Sequence, residues 1–198
     1  MKEYGRRTLK FIKRYPTPAQ IYHDIISSEG WTYKTNKDFY LKRDRALLSL
    51  LYLLALRISE ALRLTQEQFI IGERKDRIAV KGIKLSKSKV KDMPRKEQYR
   101  QEASLPLKGE RGALTQLIMD YMQVLRPEDK LFNFGRTRAL QITHSILGIP
   151  NHWLRAYGED YLYENWDHDI LAVADYVKVD PRTLQEYIRK RYEKYRVV

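Results

Sequence analysis

The sequence has no cysteine among its 198 residues. Disulfide bonds and zinc sites built from thiolates are therefore excluded, and the composition fits a reducing compartment such as the cytoplasm. Long apolar stretches are also missing, since the longest run, residues 46–56, is too short to span a bilayer. Residues 1–16 are basic and have no apolar core, so they do not predict a secretory signal.

Acidic residues are scarce relative to basic ones. The chain has 38 Lys and Arg against 25 Asp and Glu, which gives a formal net charge of +13. Such an excess favours a polyanionic partner, and we predict double-stranded DNA. No lipidation motif or basic amphipathic helix favours a membrane, and no carboxylate cluster predicts a metal or another cofactor. With 43% hydrophobic residues the chain can still bury a substantial core.

The apolar spacing predicts a mainly helical chain with a small antiparallel sheet inserted early. Strands are expected at residues 77–84 and 102–107, joined by a polar connection rich in lysine. The helical segments are one that begins at Pro18, one long helix or two abutting helices at 39–64, and further helices at 111–125, 136–148, 152–164, 168–177 and from 181 onward.

Arg57 stands inside the apolar segment LLALRISEAL, residues 53–62. Burying a permanent cation without a partner is expensive, so this arginine needs an explanation. In a helix, Glu60 would share its face, and either Glu60 or another nearby acid is expected to hold the guanidinium. An Arg–Glu pair at this spacing, taken alone, is most often structural.

Two further features are weak individually. His152 and Arg155 lie three residues apart at the predicted start of a helix, where free backbone N–H groups and the helix dipole favour phosphate. We expect Asn151 to cap that helix. Tyr187 lies in the last predicted helix and is one of 15 tyrosines in the chain.

Together, the segments LLALRISEALRL, RIAVKGIK, HWLR and QEYI resemble the catalytic domain of the tyrosine recombinases, the phage integrase family. The resemblance lies in the order and spacing of four short motifs and covers about residues 40–190. The catalytic positions that it implies are Arg57, Lys81, His152, Arg155, Lys178 and Tyr187.

The resemblance implies a role for each of these side chains. Tyr187 would attack the scissile phosphate, which leaves a 3′-phosphotyrosyl link and a free 5′-hydroxyl. Arg57 and Arg155 would bind the non-bridging oxygens, because guanidinium groups contact phosphate bidentately. His152 would accept the tyrosine proton or donate to the phosphate, and Lys81 would protonate the leaving oxygen. Neither ATP nor a metal is required for rejoining, because the covalent link conserves bond energy.

The sequence departs from the family pattern at two positions. Lys178 stands where the family usually has His or Trp, and we expect it to be a further oxyanion donor. The glycine that usually precedes the first arginine motif is Ala55 or Leu56 here, which we interpret as a change in helix packing. Lys84 is an alternative to Lys81, because the hairpin connection is long.

Basic side chains outside the motifs are expected to contact DNA phosphates. Residues 74–100 hold 11 Lys and Arg but only three acids, and residues 1–16 hold six Lys and Arg. A solvated flexible loop is the alternative explanation for residues 74–100. The predicted DNA contacts are Lys84, Lys87, Lys89, Lys91, Arg6 and Arg7.

We predict a basic arm with a first helix in residues 1–38 and a catalytic domain in residues 39–198, without the full N-terminal domain usual in the family. The expected function is site-specific recombination or integration of DNA by an enzyme encoded by a virus, plasmid or other mobile element, which self-associates on DNA. Tyr192 and Tyr195 are alternative nucleophiles on the same helix.

Three other functions fit part of the pattern. A DNA-binding regulator on the same scaffold, with lapsed chemistry, would explain the lysine at position 178. A type IB topoisomerase-like enzyme would use similar residue types to nick and close DNA. An RNA-binding module fits the charge, although it does not account for the ordered motifs.

Overall fold

A computed structural model describes residues 18–28, 33–71, 76–85, 99, 102–126 and 129–195, without the side chains of Pro18 and of residues 192–195. Five of the predicted DNA contacts lie outside the described residues: Arg6, Arg7, Lys87, Lys89 and Lys91.

The described residues confirm the mainly helical class with a small antiparallel sheet. The helices are α1 (Pro18–Ser27), α2 (Lys37–Leu53), α3 (Ile58–Ala61), α4 (Gly109–Met122), α5 (Arg136–Leu147), α6 (Asn151–Asn165), α7 (Ile170–Val177) and α8 (Pro181–Tyr195). The strands are β1 (Phe69–Ile71), β2 (Arg77–Val80) and β3 (Ala103–Pro106), and a short 3₁₀ turn, Gln66–Gln68, precedes β1.

Helix α2 forms the centre of the core. The apolar run of residues 46–56 is buried throughout, although α2 itself ends at Leu53. Helices α4 and α6 pack against α2, and α1 packs on α4 with Ile21 and Ile25 buried in the same core. The core is therefore built by helices that surround the apolar second half of α2, since a segment that is apolar on all sides has to be covered on all sides.

The three strands form a sheet in the order β1, β2, β3, with both pairs antiparallel. Ile78 pairs with Leu105 and Val80 with Ala103, and all four side chains are buried on one face. Lys81 follows β2 directly, and its backbone N–H donates to the carbonyl of Gln68 at 2.9 Å. This hydrogen bond fixes the backbone of Lys81, at the end of β2, against the turn that precedes β1.

The chain breaks sharply between α2 and α3. Ala55 adopts a left-handed backbone conformation with φ 46°, a region that an L-residue enters at a cost of about 1–2 kcal/mol. This corrects our interpretation of the missing family glycine as a packing change, because the position demands a left-handed backbone. Buried Arg111 closes the end of α2, where its Nη2 donates to the Leu53 carbonyl at 2.7 Å.

Candidate functional site

Arg57 is the N-cap residue directly before helix α3 rather than lying within a helix, contrary to the sequence-based expectation. Its backbone is extended, with φ −74° and ψ 148°. Glu60 is the acid that holds it: Arg57 Nη1 donates to Glu60 Oε1 at 2.9 Å, and the Arg57 backbone N–H donates to Glu60 Oε2 at 3.0 Å. The Glu60 side chain is fully buried, whereas 23% of the Arg57 side chain is exposed. The carboxylate therefore orients a guanidinium that still reaches the surface.

Arg155 projects from the first half of α6 and is held on two sides. Its Nε donates to Glu159 Oε1 at 2.7 Å, and its Nη2 donates to the carbonyl of Val177, at the end of α7, at 3.3 Å. Its Nη1 is buried and has no hydrogen-bond partner within the described part of the chain. Leaving a buried charged donor unpaired is costly, so an anion bound at Nη1 would relieve this cost.

The two arginines converge although 98 sequence positions separate residues 57 and 155. Burial lowers the pKa of Arg57, and the nearby Arg155 guanidinium lowers it further, whereas Glu60 and Glu159 raise it. Two cations close enough to interact repel each other, and a phosphate bound by both would offset this repulsion. The site is therefore suited to a phosphate.

Gly158 allows helix α6 to approach the turn that carries Arg57. A Cβ at this position would lie 2.3 Å from the Tyr52 carbonyl oxygen and 3.2 Å from the Ala55 Cα. Both of these atoms belong to the backbone, so they cannot move aside as the end of a flexible side chain would. The contact between α2 and α6 therefore depends on the absence of a side chain here, one turn after Arg155.

Gly158→Ala is expected to destabilise the protein by about 1–3 kcal/mol, because the added methyl group overpacks against backbone. Chemical denaturation measures the free energy of unfolding. Gly135→Ala is the matched control: a Cβ there meets no atom within 4 Å. Gly135 caps α5, so its replacement is expected to cost less than about 1 kcal/mol. Equal stabilities of the two variants would contradict the close approach.

His152 is the second residue of α6, three positions before Arg155. Pro150 is the N-cap and Asn151 is already helical, so the predicted Asn151 cap is wrong. Partial burial lowers the pKa of His152 below its ordinary value, so the imidazole is neutral near pH 7. A neutral imidazole can accept a proton, which is one of the two roles expected for it.

Lys178 ends helix α7 in a left-handed conformation with φ 52°. It directly follows Val177, whose carbonyl accepts a hydrogen bond from Arg155. The Lys178 backbone therefore lies next to the Arg155 side chain. Its ammonium group pairs with Asp175 Oδ1 at 2.5 Å. The lysine is thus adjacent to the site, and in this structure its charge is directed to the last turn of α7.

The two candidate lysines of the sheet differ in position. Lys81 Nζ pairs with Glu102 Oε2 at 3.2 Å, and both side chains are more than half exposed. Lys84 forms an isolated β-bridge with Tyr99. A surface ion pair of this kind contributes little free energy, so Lys81 remains available to another anion.

Tyr187 lies on α8 and is 50% exposed. The buried side chains of Leu184 and Ile188 seat this helix, which packs mainly against α7. One turn beyond Tyr187, Arg191 donates to Asp160 of α6 through Nε at 3.0 Å and Nη2 at 2.7 Å. These ion pairs connect the helix that carries the phenol to the helix that carries Arg155.

Several residues of the site were not identified in the sequence. The spacing of Arg155 and Glu159, four residues apart in a helix, would have indicated their pairing. No local sequence pattern predicts the Arg191–Asp160 pair or the contact of Gly158 with Tyr52, because each joins segments that are far apart in the sequence. They depend on how the helices pack.

Within the described segments, no helix is both long and apolar enough to cross a membrane. The sequence matches no family model, and no curated protein matches it. The structure does have solved relatives. The XerH site-specific recombinase bound to difH substrate, in a pre-cleavage complex, superposes with a TM-score of 0.64 at 17% sequence identity, over 94% of this chain and 53% of the other. The chain has a tyrosine recombinase catalytic-domain fold.

A second structure, the XerH recombinase bound to palindromic difH substrate in a post-cleavage complex, gives a TM-score of 0.61 at 16% identity. It covers 94% of this chain and 52% of the other chain, so the present chain spans about half the length of the structures it matches. At this identity the comparison establishes the tyrosine recombinase fold. The chemistry has to be argued from the side chains of this chain.

Proposed function

We propose that this chain cleaves and rejoins double-stranded DNA through a covalent bond between Tyr187 and a DNA phosphate. The observation that carries the proposal is the convergence of Arg57 and Arg155, each oriented by its own buried carboxylate, with the Nη1 of Arg155 buried and unpaired among the described residues. The excess of basic residues and the tyrosine recombinase fold support DNA as the substrate.

The proposed reaction needs a nucleophile, cations and an acid. The Tyr187 oxygen attacks the scissile phosphorus, the bond to the 5′-oxygen breaks, and a 3′-phosphotyrosyl link forms. Arg57 and Arg155 neutralise the charge that develops on the non-bridging oxygens. His152 accepts the phenol proton, and Lys81 leaves Glu102 to protonate the 5′-oxygen. The reverse sequence rejoins the strand with the same atoms.

The pH dependence of strand cleavage distinguishes the two roles of His152. Because the pKa of His152 is lowered from its ordinary value of 6.5, the neutral base persists at pH 7 and is lost only as the pH falls below 6.5. We expect the single-turnover cleavage rate to fall in that acidic range, and His152→Gln to remove this fall. A wild-type rate that rises on acidification would instead assign His152 as a protonated donor.

The finer assignment is a site-specific recombinase or integrase. The recombinase in the matched structures supports recombination over simple nicking, and we propose that the chain self-associates on its DNA. We also propose that the chain is encoded by a virus or plasmid and serves integration. It would act with its DNA in the cytoplasm. Strand exchange between two duplexes, rather than relaxation of supercoils alone, is the outcome that separates this activity from a type IB topoisomerase.

Covalent capture of DNA tests the proposal. Binding sequences are first selected from a pool of random duplexes, and the selected duplex is then prepared as a series with a nick at each position. Cleavage near a nick releases a short fragment, so the covalent intermediate accumulates and survives denaturation with SDS. We expect one or more nicked duplexes to yield a covalent adduct. Selected DNA that is bound but never attached would contradict the proposal.

A DNA-binding regulator with lapsed chemistry is the second candidate. The observation that favours it is that both proposed lysine donors are paired with carboxylates, Lys81 with Glu102 and Lys178 with Asp175. If this reading holds, the chain binds the selected DNA without forming an adduct. Its binding would still weaken steeply with added salt, because phosphate contacts release counterions.

A further inference from the structure

Four charged side chains form a continuous, nearly buried network between helices α6 and α8. Glu159 offers one carboxylate oxygen to each of two arginines: Oε1 lies 2.7 Å from Arg155 Nε, and Oε2 lies 3.6 Å from Arg191 Nη2. Asp160 accepts from both Nε and Nη2 of Arg191. The exposed fractions of the side chains are 7% for Glu159, 5% for Asp160, 11% for Arg155 and 15% for Arg191. Two cations therefore balance two anions in a region that is poorly solvated.

This network is a charged connection between the nucleophile helix and the phosphate site. Helix α8 packs mainly on α7, with Leu184 and Ile188 buried, and apolar contacts carry no directional constraint of their own. A bidentate contact between a planar guanidinium and a carboxylate sets both distance and angle. Arg191 lies one helical turn after Tyr187, so the two side chains project from the same side of α8.

We propose that Glu159 and Arg191 are positioning residues that set Tyr187 against the phosphate held by Arg155. This inference rests on the proposed function. Neither residue touches the reacting atoms. Glu159 orients the Arg155 guanidinium with one oxygen and faces Arg191 with the other, while Asp160 holds Arg191 at a fixed angle. A shift of the nucleophile helix is thereby coupled to the orientation of the arginine that binds the phosphate.

The exposure of Tyr187 explains why its helix has to be held in place by other contacts. Tyr187 is half exposed, so burial of its ring contributes little to its placement. In-line attack on phosphorus requires the phenol oxygen within a narrow range of position, and a misplacement of about 1 Å can lower a rate on the order of a hundredfold. The network supplies that precision from outside the site.

Arg191→Met tests the proposal because it keeps the length of the side chain and removes both ion pairs. With the duplex selected above at saturating concentration, we expect the single-turnover rate of adduct formation to fall on the order of a hundredfold, with unchanged affinity for the duplex. Lys190→Met is the matched control: it removes one cation from the same turn, where Lys190 is exposed and pairs with Glu186. This control is expected to cleave at the wild-type rate. Arg191→Lys, which keeps the charge, is expected to recover part of the rate.

Glu159→Gln carries the test if Arg191→Met does not fold, because the amide keeps the shape of the carboxylate. Wild-type cleavage rates in both variants would overturn the positioning role and leave the proposed function intact. Hydrogen exchange of the free protein gives a readout that needs no chemistry: Arg191→Met should speed exchange of α8 amides, and Lys190→Met should not. Unchanged exchange in Arg191→Met would overturn the proposal even if the wild-type chain forms no adduct.

Discussion

Tyr187→Phe is expected to abolish covalent attachment to DNA and to leave DNA binding intact. The substitution removes only the phenol oxygen, which is the atom that would form the bond to phosphorus. Because Tyr187 is half exposed, loss of its hydroxyl removes no buried hydrogen bond and is expected to leave stability nearly unchanged. The adduct assay with the nicked duplex and a gel-shift titration measure the two quantities on the same preparation.

Tyr192→Phe is the matched control for this experiment. Tyr192 lies five residues further along the same helix, and residues at that spacing do not share one face of a regular helix. We expect this variant to form the adduct at the wild-type rate. If Tyr192→Phe or Tyr195→Phe removed the adduct while Tyr187→Phe retained it, the nucleophile would have to be reassigned.

Arg155→Lys is expected to slow adduct formation about 10²–10³-fold, equivalent to roughly 3–4 kcal/mol of transition-state stabilisation. The guanidinium uses Nε for Glu159 and Nη2 for the Val177 carbonyl, and its Nη1 is the nitrogen left unpaired within the described residues. An ammonium group has no planar fork and cannot serve these three directions at once. The retained positive charge should preserve most of the DNA affinity, so the loss is expected in the rate.

Arg126→Lys is the matched control, because it is the same conservative change at an exposed arginine that belongs to none of the four motifs. This variant is expected to cleave at the wild-type rate. A loss of DNA affinity in Arg155→Lys with no change in the rate at saturating DNA would contradict the assignment, because it would show ground-state binding alone.

Local patterns predicted most of the helices correctly. Gly148 ends α5 in a left-handed conformation, and Asp169 caps α7 by accepting from two backbone N–H groups, which are signals that act within a few residues. The same kind of reasoning failed at Arg57. The apolar run continues through residues 54–56, but Ala55 takes a positive φ that no local preference of alanine favours. Packing of the turn against Gly158 accompanies this strained conformation.

The sequence by itself determined the fold class, the basic charge and the order of the motifs, and it offered Glu60 as one candidate partner of Arg57. Only the tertiary structure decided that Arg57 and Arg155 lie near enough to interact, that Gly158 permits α6 to approach Tyr52 and Ala55, and that Arg191 ties the helix of Tyr187 to Asp160. The physical reason is the sequence distance over which each kind of interaction acts. Periodicity and capping act over one or two turns of a helix, whereas these contacts join segments 31 or more positions apart and depend on how packed helices cross.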